Sequence, residues 1–566
     1  MKKIFLVSII FVFIFLISSC SSDFKKPEGT LFNLEMKNET TLESPSKEGN
    51  IEVHTFYYAG DYNPRRKEYS LDNLSVITDN VDISFLTNQI DKKLWGFDSS
   101  NVPLNGIVYY PNYNGRFPVV LCVHGNANPE IPSEFGYDYL GKLMASRGII
   151  FVSIDETFLN GRIFNENDAR GYLLLKHAQE ILSWNNDETN PLYNKIDTEN
   201  IALIGHSRGG EAVAIAAVFN KLSRYPDDGN FEFDFNLPLK AIISIAPVEG
   251  QYRPSNKRTS PDYLNHLLIH GSQDGDVYQF MGLNYFHRNY PLPGIIKSSY
   301  WIYGANHAQF NTIWGKNEDP MPSFAKNLLS FEDQLEIAKI LITGFVEMSF
   351  GINPEYEKIF TDYKNTLNWL PETYYIHSYL KGDETIIADF QKNIDIETTY
   401  DNNWKINAIN FDKWYENRSD IHNSFSEGPE NYSVYLDWDL KSNDENDEES
   451  EIKIPEFRII KNSEKSFYAN YLAFDLLVLN IEEDYLNFSI EIKTKNETLN
   501  FILDDYYKIT KTPVVNVFPL SISRRNIFKS IIIPIEKSVQ IEEINFVFDR
   551  TEKGFITLDN IRIGGK

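Results

Sequence analysis

The residues best suited to chemistry lie in Ile201–Gly210, IALIGHSRGG. Four apolar residues run into Gly205-His206-Ser207-Arg208-Gly209, and a helix-forming run, Glu211-Ala212-Val213-Ala214-Ile215-Ala216-Ala217, follows. A buried strand that turns sharply into a helix strains the residue at the turn, and glycines two before and two after it remove side chains that would clash. Ser207 Oγ is then presented at the turn as a nucleophile. Taken alone, the pattern recurs by chance at ordinary Gly and Ser usage. The strand before it and the helix after it separate it from a glycine-rich turn with an idle serine.

A serine hydroxyl is a weak nucleophile near neutral pH and needs a base, which an acid must orient. The apolar run Tyr300–Tyr303 leads into Gly304-Ala305-Asn306-His307-Ala308-Gln309-Phe310, which puts His307 on a loop straight after a strand. Three carboxylates compete as its partner. Asp274 follows the Leu267–His270 strand in Gly271-Ser272-Gln273-Asp274-Gly275-Asp276-Val277 and is favoured. Asp276, two residues on, is expected to point away along the loop. Glu249 follows the strand Ala241–Ala246. Upstream, Val119–Val123 runs into His124-Gly125-Asn126-Ala127-Asn128. A backbone N–H from this loop, at Asn126 or Ala127, and that of Arg208 would hold the oxyanion of a tetrahedral intermediate. His124 is read as shaping the loop rather than as a second base.

His124-Gly125, GHSRGG at Gly205–Gly210, HGSQDGDV at His270–Val277 and GANHAQFN at Gly304–Asn311 resemble the α/β-hydrolase superfamily. They resemble most its branch of cutinase-like polyester hydrolases, chlorophyllase-type esterases and dienelactone-hydrolase-like proteins. The order Ser, acid, His is the one that fold uses. The likeness runs roughly from Ile51 to Pro371 and implies the fold and a Ser207–Asp274–His307 triad, without naming a substrate. Two features depart from it. Dienelactone hydrolases proper use a cysteine nucleophile where Ser207 stands. Asn160–Gly171 and Tyr225–Leu237 are insertions, read as a lid.

Period and composition fix the organisation around these residues. Helical spacing marks Tyr137–Ser146, Ala169–Trp184, Glu211–Asn220 and Phe331–Met348. Apolar runs mark strands at Val119–Val123, Ile149–Ile154, Ile201–Ile204, Ala241–Ala246, Leu267–His270 and Tyr300–Tyr303, with edge strands within Ile51–Tyr110. Such alternation predicts an α/β fold with a mostly parallel sheet covered on both faces. After about Leu380 helical spacing fades and short strands with turn signals take over, which predicts an antiparallel, jelly-roll-like β-sandwich. The expected division is 1–20 signal, 21–50 tether, 51–380 catalytic α/β domain and 381–566 sandwich. The ending Thr557–Ile563 resembles the last strand of carbohydrate-binding jelly rolls, in which an aspartate at the Asp559 position can ligand calcium. Trp404, Trp414 and Trp438 are read as core, with stacking on sugar rings as the alternative.

The N-terminus reads as a lipoprotein signal. Lys2 and Lys3 precede the apolar run Ile4–Ile17, too short to favour a membrane span, and Leu16-Ile17-Ser18-Ser19-Cys20 has the lipobox pattern. Cys20 is the expected lipidation site, which places the protein in a bacterial cell envelope, at the outer membrane or cell surface. The chain has two cysteines, so lipidation of Cys20 leaves Cys122 without a disulfide partner in the chain. The net charge of −26 argues against a nucleic-acid partner. The acidic run Asn443–Glu451 reads as a solvated loop, because the position where an EF-hand requires Gly holds Glu449. The resulting expectation is a lipid-anchored serine esterase, needing no metal or organic cofactor, acting on a polysaccharide- or lipid-linked ester. A peptidase or amidase of the same fold, and a non-enzymatic carbohydrate-binding surface lipoprotein, are the alternatives.

Overall fold

The computed structural model describes residues 41–60, 65–288, 290–315, 327–391, 393–399, 401–419, 431–441, 452–516, 522–524 and 526–565. Cys20, the apolar run before it and the acidic run at 443–451 lie outside the described residues. Among the described residues no helix is long and apolar enough to cross a membrane.

Ten strands form the first sheet: β1 Val53–Ala59, β2 Leu74–Ile77, β3 Asn105–Pro111, β4 Phe117–Val123, β5 Ile150–Asp155, β6 Ile196–His206, β7 Leu239–Ile245, β8 Asn265–Gly271, β9 Ile296–Ile302 and β10 Tyr375–Lys381. Their order is β10-β9-β8-β7-β6-β4-β5-β3-β1-β2. The run from β9 to β5 is parallel, while β10 and β3 flank it antiparallel. Parallel strands need crossovers, and helices lie in most of them: α1 Asp138–Ser146, α2 Asn167–Ser183, α3 Arg208–Phe219 and α4 Leu283–Arg288, while α5 Phe331–Ser349 leads from β9 towards the antiparallel β10.

Strand side chains alternate between faces, so each central strand feeds two cores. Val120, Cys122, Ala202, Ile204, Ile243 and Ile269 pack with Leu140 and Met144 of α1 and Ile337 and Leu341 of α5. Val119, Leu121, Leu203, Ile242 and Leu268 pack on the other face with Leu174 and Ile181 of α2 and Val213 and Ala217 of α3. Burial on both faces explains why these strands read as unbroken apolar runs.

Beyond β10 the chain turns to antiparallel sheets in a sandwich-like arrangement. Its strands are β11 Thr385–Ala388, β12 Trp404–Ile409, β13 Lys413–Arg418, β14 Tyr432–Asp439, β15 Glu456–Lys461, β16 Tyr468–Ile481, β17 Ser489–Lys493, β18 Thr498–Ile502, β19 Val514–Asn516, β20 Ile522–Arg524, β21 Lys529–Gln540, β22 Glu543–Val547 and β23 Lys553–Gly564. One sheet runs β13-β14-β23-β16-β21, with β11 on β23; a second runs β12-β15-β22-β17-β18, and β19 pairs with β20 alone. Trp404 and Trp438 are fully buried, and Trp438 Nε1 donates to Thr551 O at 3.0 Å. Both belong to the core and are closed to sugar stacking, while Trp414 is half-buried against it. Asp559 is also inside, its Oδ2 accepting from Asn431 Nδ2 at 2.7 Å.

The two regions are joined through β10. Tyr379 N–H donates to Ser530 Oγ at 3.0 Å and Ser378 Oγ donates to Phe528 O at 2.6 Å. Buried Arg562 binds Tyr379 O at 2.8 Å, Glu384 at 2.9 Å and Asp475 at 3.2 Å.

Candidate active site

The loops that follow β4, β6, β8 and β9 leave the C-terminal ends of parallel strands, so they gather at one edge of the sheet, where open α/β sheets place their sites. This shared edge brings together residues far apart in sequence: His124–Ala127, Ser207, Asp274 and His307.

Ser207 stands between β6 and α3 with φ 59° and ψ −120°. A non-glycine residue held there stores about 1–3 kcal/mol of backbone strain. The turn admits no side chain at the flanking glycines: a Cβ on Gly205 would lie 1.9 Å from Gly209 O, and one on Gly209 would lie 2.6 Å from Val123 O. Ser207 N–H is anchored on Ile245 O at 2.9 Å. The loop after β4 lies directly against the serine, since a Cβ on Gly125 would come within 2.5 Å of Ser207 Cβ.

His307 Nδ1 meets Asp274 Oδ2 at 2.8 Å, with both side chains buried. The loops carrying them are stitched together. Ser272 N–H donates to Ile302 O at 2.8 Å, Gln273 N–H to Ala305 O at 2.8 Å, and Gly304 N–H to Ser272 Oγ at 2.8 Å. Gln334 of α5 brackets Asn306, accepting from its N–H at 3.0 Å and donating to its carbonyl at 2.9 Å. The His307 ring packs 5.0 Å from the ring of His206, the residue just before Ser207. His206 meets Tyr137 OH at 3.0 Å, and burial holds it neutral, well below the usual histidine range.

Asp274 uses its second oxygen on its own loop. Oδ1 accepts from Asp276 N–H at 2.9 Å and Val277 N–H at 2.6 Å. That turn folds the loop back and corrects the sequence-based expectation for Asp276. Its Oδ2 does not point away but stands 3.5 Å from His307 Nε2, with the side chain 53% exposed. Glu249 is occupied elsewhere: it pairs with Arg258, with Arg288 at 2.7 Å, and accepts from Asn284 at 3.0 Å.

His124 braces the loop after β4. Glu156 N–H donates to its Nε2 at 3.1 Å, which leaves the proton on Nδ1 to donate to Gly125 O at 2.7 Å. Burial pushes its pKa down to about 3, so the ring is neutral. The Asn126 side chain accepts from Gly161 N–H at 2.7 Å. The Arg208 guanidinium turns inward, to Glu166 at 2.6 Å and Ile163 O at 3.1 Å. The start of the 160–171 insertion is therefore pinned to the residues around Ser207. The other insertion is part of the second core, through Tyr225, Phe233, Phe235 and Leu237.

A buried ionic layer lies under this edge. Arg170 contacts Glu166 at 3.4 Å and Glu156 at 3.5 Å, and Arg66 pairs with Asp155 at 2.8 Å and with Glu134. Burial pushes Glu156 up to about 8, with Arg170 opposing. Sequence reasoning missed this layer, although the i,i+4 spacing of Glu166 and Arg170 was an available signal.

Residues 78–268 match the model of the Chlorophyllase family, a family of α/β-hydrolase-type esterases. The match covers roughly a third of the chain, including His124 and Ser207, and ends before Asp274 and His307. No curated protein matches the chain. At the level this match reaches, the chain is similar to ester-hydrolysing α/β hydrolases.

Proposed function

We propose that the protein is a serine hydrolase of carboxylic esters, with Ser207 as nucleophile, His307 as base and Asp274 as the orienting acid. The 2.8 Å Asp274–His307 bond beside the strained Ser207 turn carries the reading. Asp274 fixes the proton on His307 Nδ1, which leaves Nε2 to take the Ser207 proton as Oγ attacks the ester carbonyl. The oxyanion is received by the backbone N–H groups of Arg208 and Asn126. His307 then protonates the leaving alcohol, and water releases the acyl group by the reverse sequence. In this reading Cys20 carries lipid and tethers the enzyme to the cell envelope; Cys20→Ser is expected to abolish palmitate labelling and membrane partitioning.

Labelling with a fluorophosphonate tests the enzyme directly, and a screen over p-nitrophenyl esters, acetylated glycans and aminoacyl amides separates esterase from amidase. Ser207→Ala should abolish labelling and lower kcat by about 10⁴-fold or more. Wild-type turnover by that variant would rule the assignment out.

A further inference from the structure

Asp276 has no part in the chemistry proposed above, yet it holds a definite place beside it. Its backbone N–H is fixed by Asp274 Oδ1 at 2.9 Å, and its Oδ2 lies 3.5 Å from His307 Nε2. The imidazole is 5% exposed and the Asp276 side chain 53%, so the carboxylate flanks the reacting nitrogen on the solvent side. Among the described residues no lysine or arginine pairs with it. The nearby cation Arg208 is turned inward onto Glu166.

We infer that Asp276 determines which leaving groups the site accepts, disfavouring esters of anionic alcohols and favouring those of neutral or cationic ones. The inference rests on the serine-esterase reading. A leaving alcohol must come within hydrogen-bond reach of Nε2 to collect its proton, which brings the rest of that alcohol within several ångströms of Asp276 Oδ2. Two unit charges about 6 Å apart at a half-exposed site change the rate by about tenfold. The surplus negative charge of the whole chain acts on every substrate from further off and is screened by salt, so a local substitution isolates the Asp276 contribution.

The test compares three acetates with the same acyl group: acetylcholine, its neutral isostere 3,3-dimethylbutyl acetate, and the acetate ester of 3-hydroxypropanesulfonate. The readout is the ratio of kcat/KM for the cationic ester to that for the anionic one, which is internal to each protein and independent of the folded fraction. Wild type should favour the cation over the anion by about a hundredfold. Asp276→Asn should remove about a hundredfold of that preference, about tenfold from each charged ester, and Asp276→Lys should invert it. The turn survives both substitutions, because it is built on the Asp276 backbone N–H. Ser207-dependent hydrolysis with a ratio unchanged in both variants overturns the inference and leaves the esterase reading standing. Absence of Ser207-dependent turnover of all three acetates also overturns it; if fluorophosphonate labelling is absent as well, the esterase reading falls too.

Discussion

Asp274→Asn separates a catalytic carboxylate from a structural one, because the structure dictates how an amide must sit there. Oδ1 accepts two backbone N–H groups, from Asp276 at 2.9 Å and Val277 at 2.6 Å. An asparagine keeps those bonds only with its own Oδ1 in that place. Nδ2 then faces His307 Nδ1, now 2.8 Å from Asp274 Oδ2, and donates to it. The imidazole proton is forced onto Nε2, which then cannot take the Ser207 proton as the proposed mechanism requires. The expected loss in kcat is about 10⁴-fold, or about 5.5 kcal/mol of transition-state stabilisation, with KM little changed. The remaining rate comes from the oxyanion donors and substrate binding. Folding should be nearly intact by circular dichroism, since both turn bonds survive. Glu249→Gln is the comparison: it disturbs a buried cluster with Arg258 and Arg288 but leaves His307 oriented. Its kcat per folded molecule should stay within about tenfold of wild type. Initial rates on a p-nitrophenyl ester, normalised to folded protein, decide between them. An active Asp274→Asn beside a crippled but folded Glu249→Gln would refute the reasoning.

Other outcomes follow from the buried charges. Glu166→Ala strips the carboxylate from Arg208 and Arg170 and should cost about 3–5 kcal/mol in urea unfolding; an unchanged midpoint would show that the arginines find other acceptors. Arg562→Ala leaves Glu384 and Asp475 buried without their cation and should lower stability by about 3–5 kcal/mol. Because Arg562 also holds Tyr379 O, that variant should expose the chain near β10 to limited proteolysis, and identical digestion of both proteins would count against this coupling. His377 is buried, and its pKa is pushed down by burial from 6.5 to about 3. The unfolded chain takes up this proton below 6.5 and the folded one does not, so the neutral ring's contribution is full above 6.5 and is lost as pH falls towards 3. Relative to His377→Gln, wild type should lose unfolding free energy as pH falls below 6.5, at about 0.7 kcal/mol per pH unit near 6.5 and approaching about 1.4 kcal/mol per unit near 5. A pH-independent difference would contradict it.

The local parts of the site are legible along the chain. Gly205 and Gly209 bracket Ser207 because no Cβ fits at either place, a constraint that the turn imposes wherever it occurs. The apolar runs after which Asp274 and His307 stand were legible because strands buried on both faces leave no polar alternation. β12, β13 and β15 were not legible: with lysine, asparagine, glutamate or arginine among their residues, as in Trp404–Ile409, half-buried strands look like loops.

The chain order favours Asp274 among three carboxylates, and packing settles which of them meets His307 Nδ1. Asp274 reaches it because the loops after β8 and β9 are stitched by backbone bonds, and Glu249 is excluded by arginines at 258 and 288. The return of Asp276 to Nε2 depends on a turn capped by its neighbour's carboxylate, and no periodicity in sequence encodes that. The ionic layer beneath the site was invisible for a similar reason. Charged residues read singly belong on the surface, and Arg66, Glu134, Asp155, Glu156 and Arg170 are buried only because segments distant in sequence supply their partners.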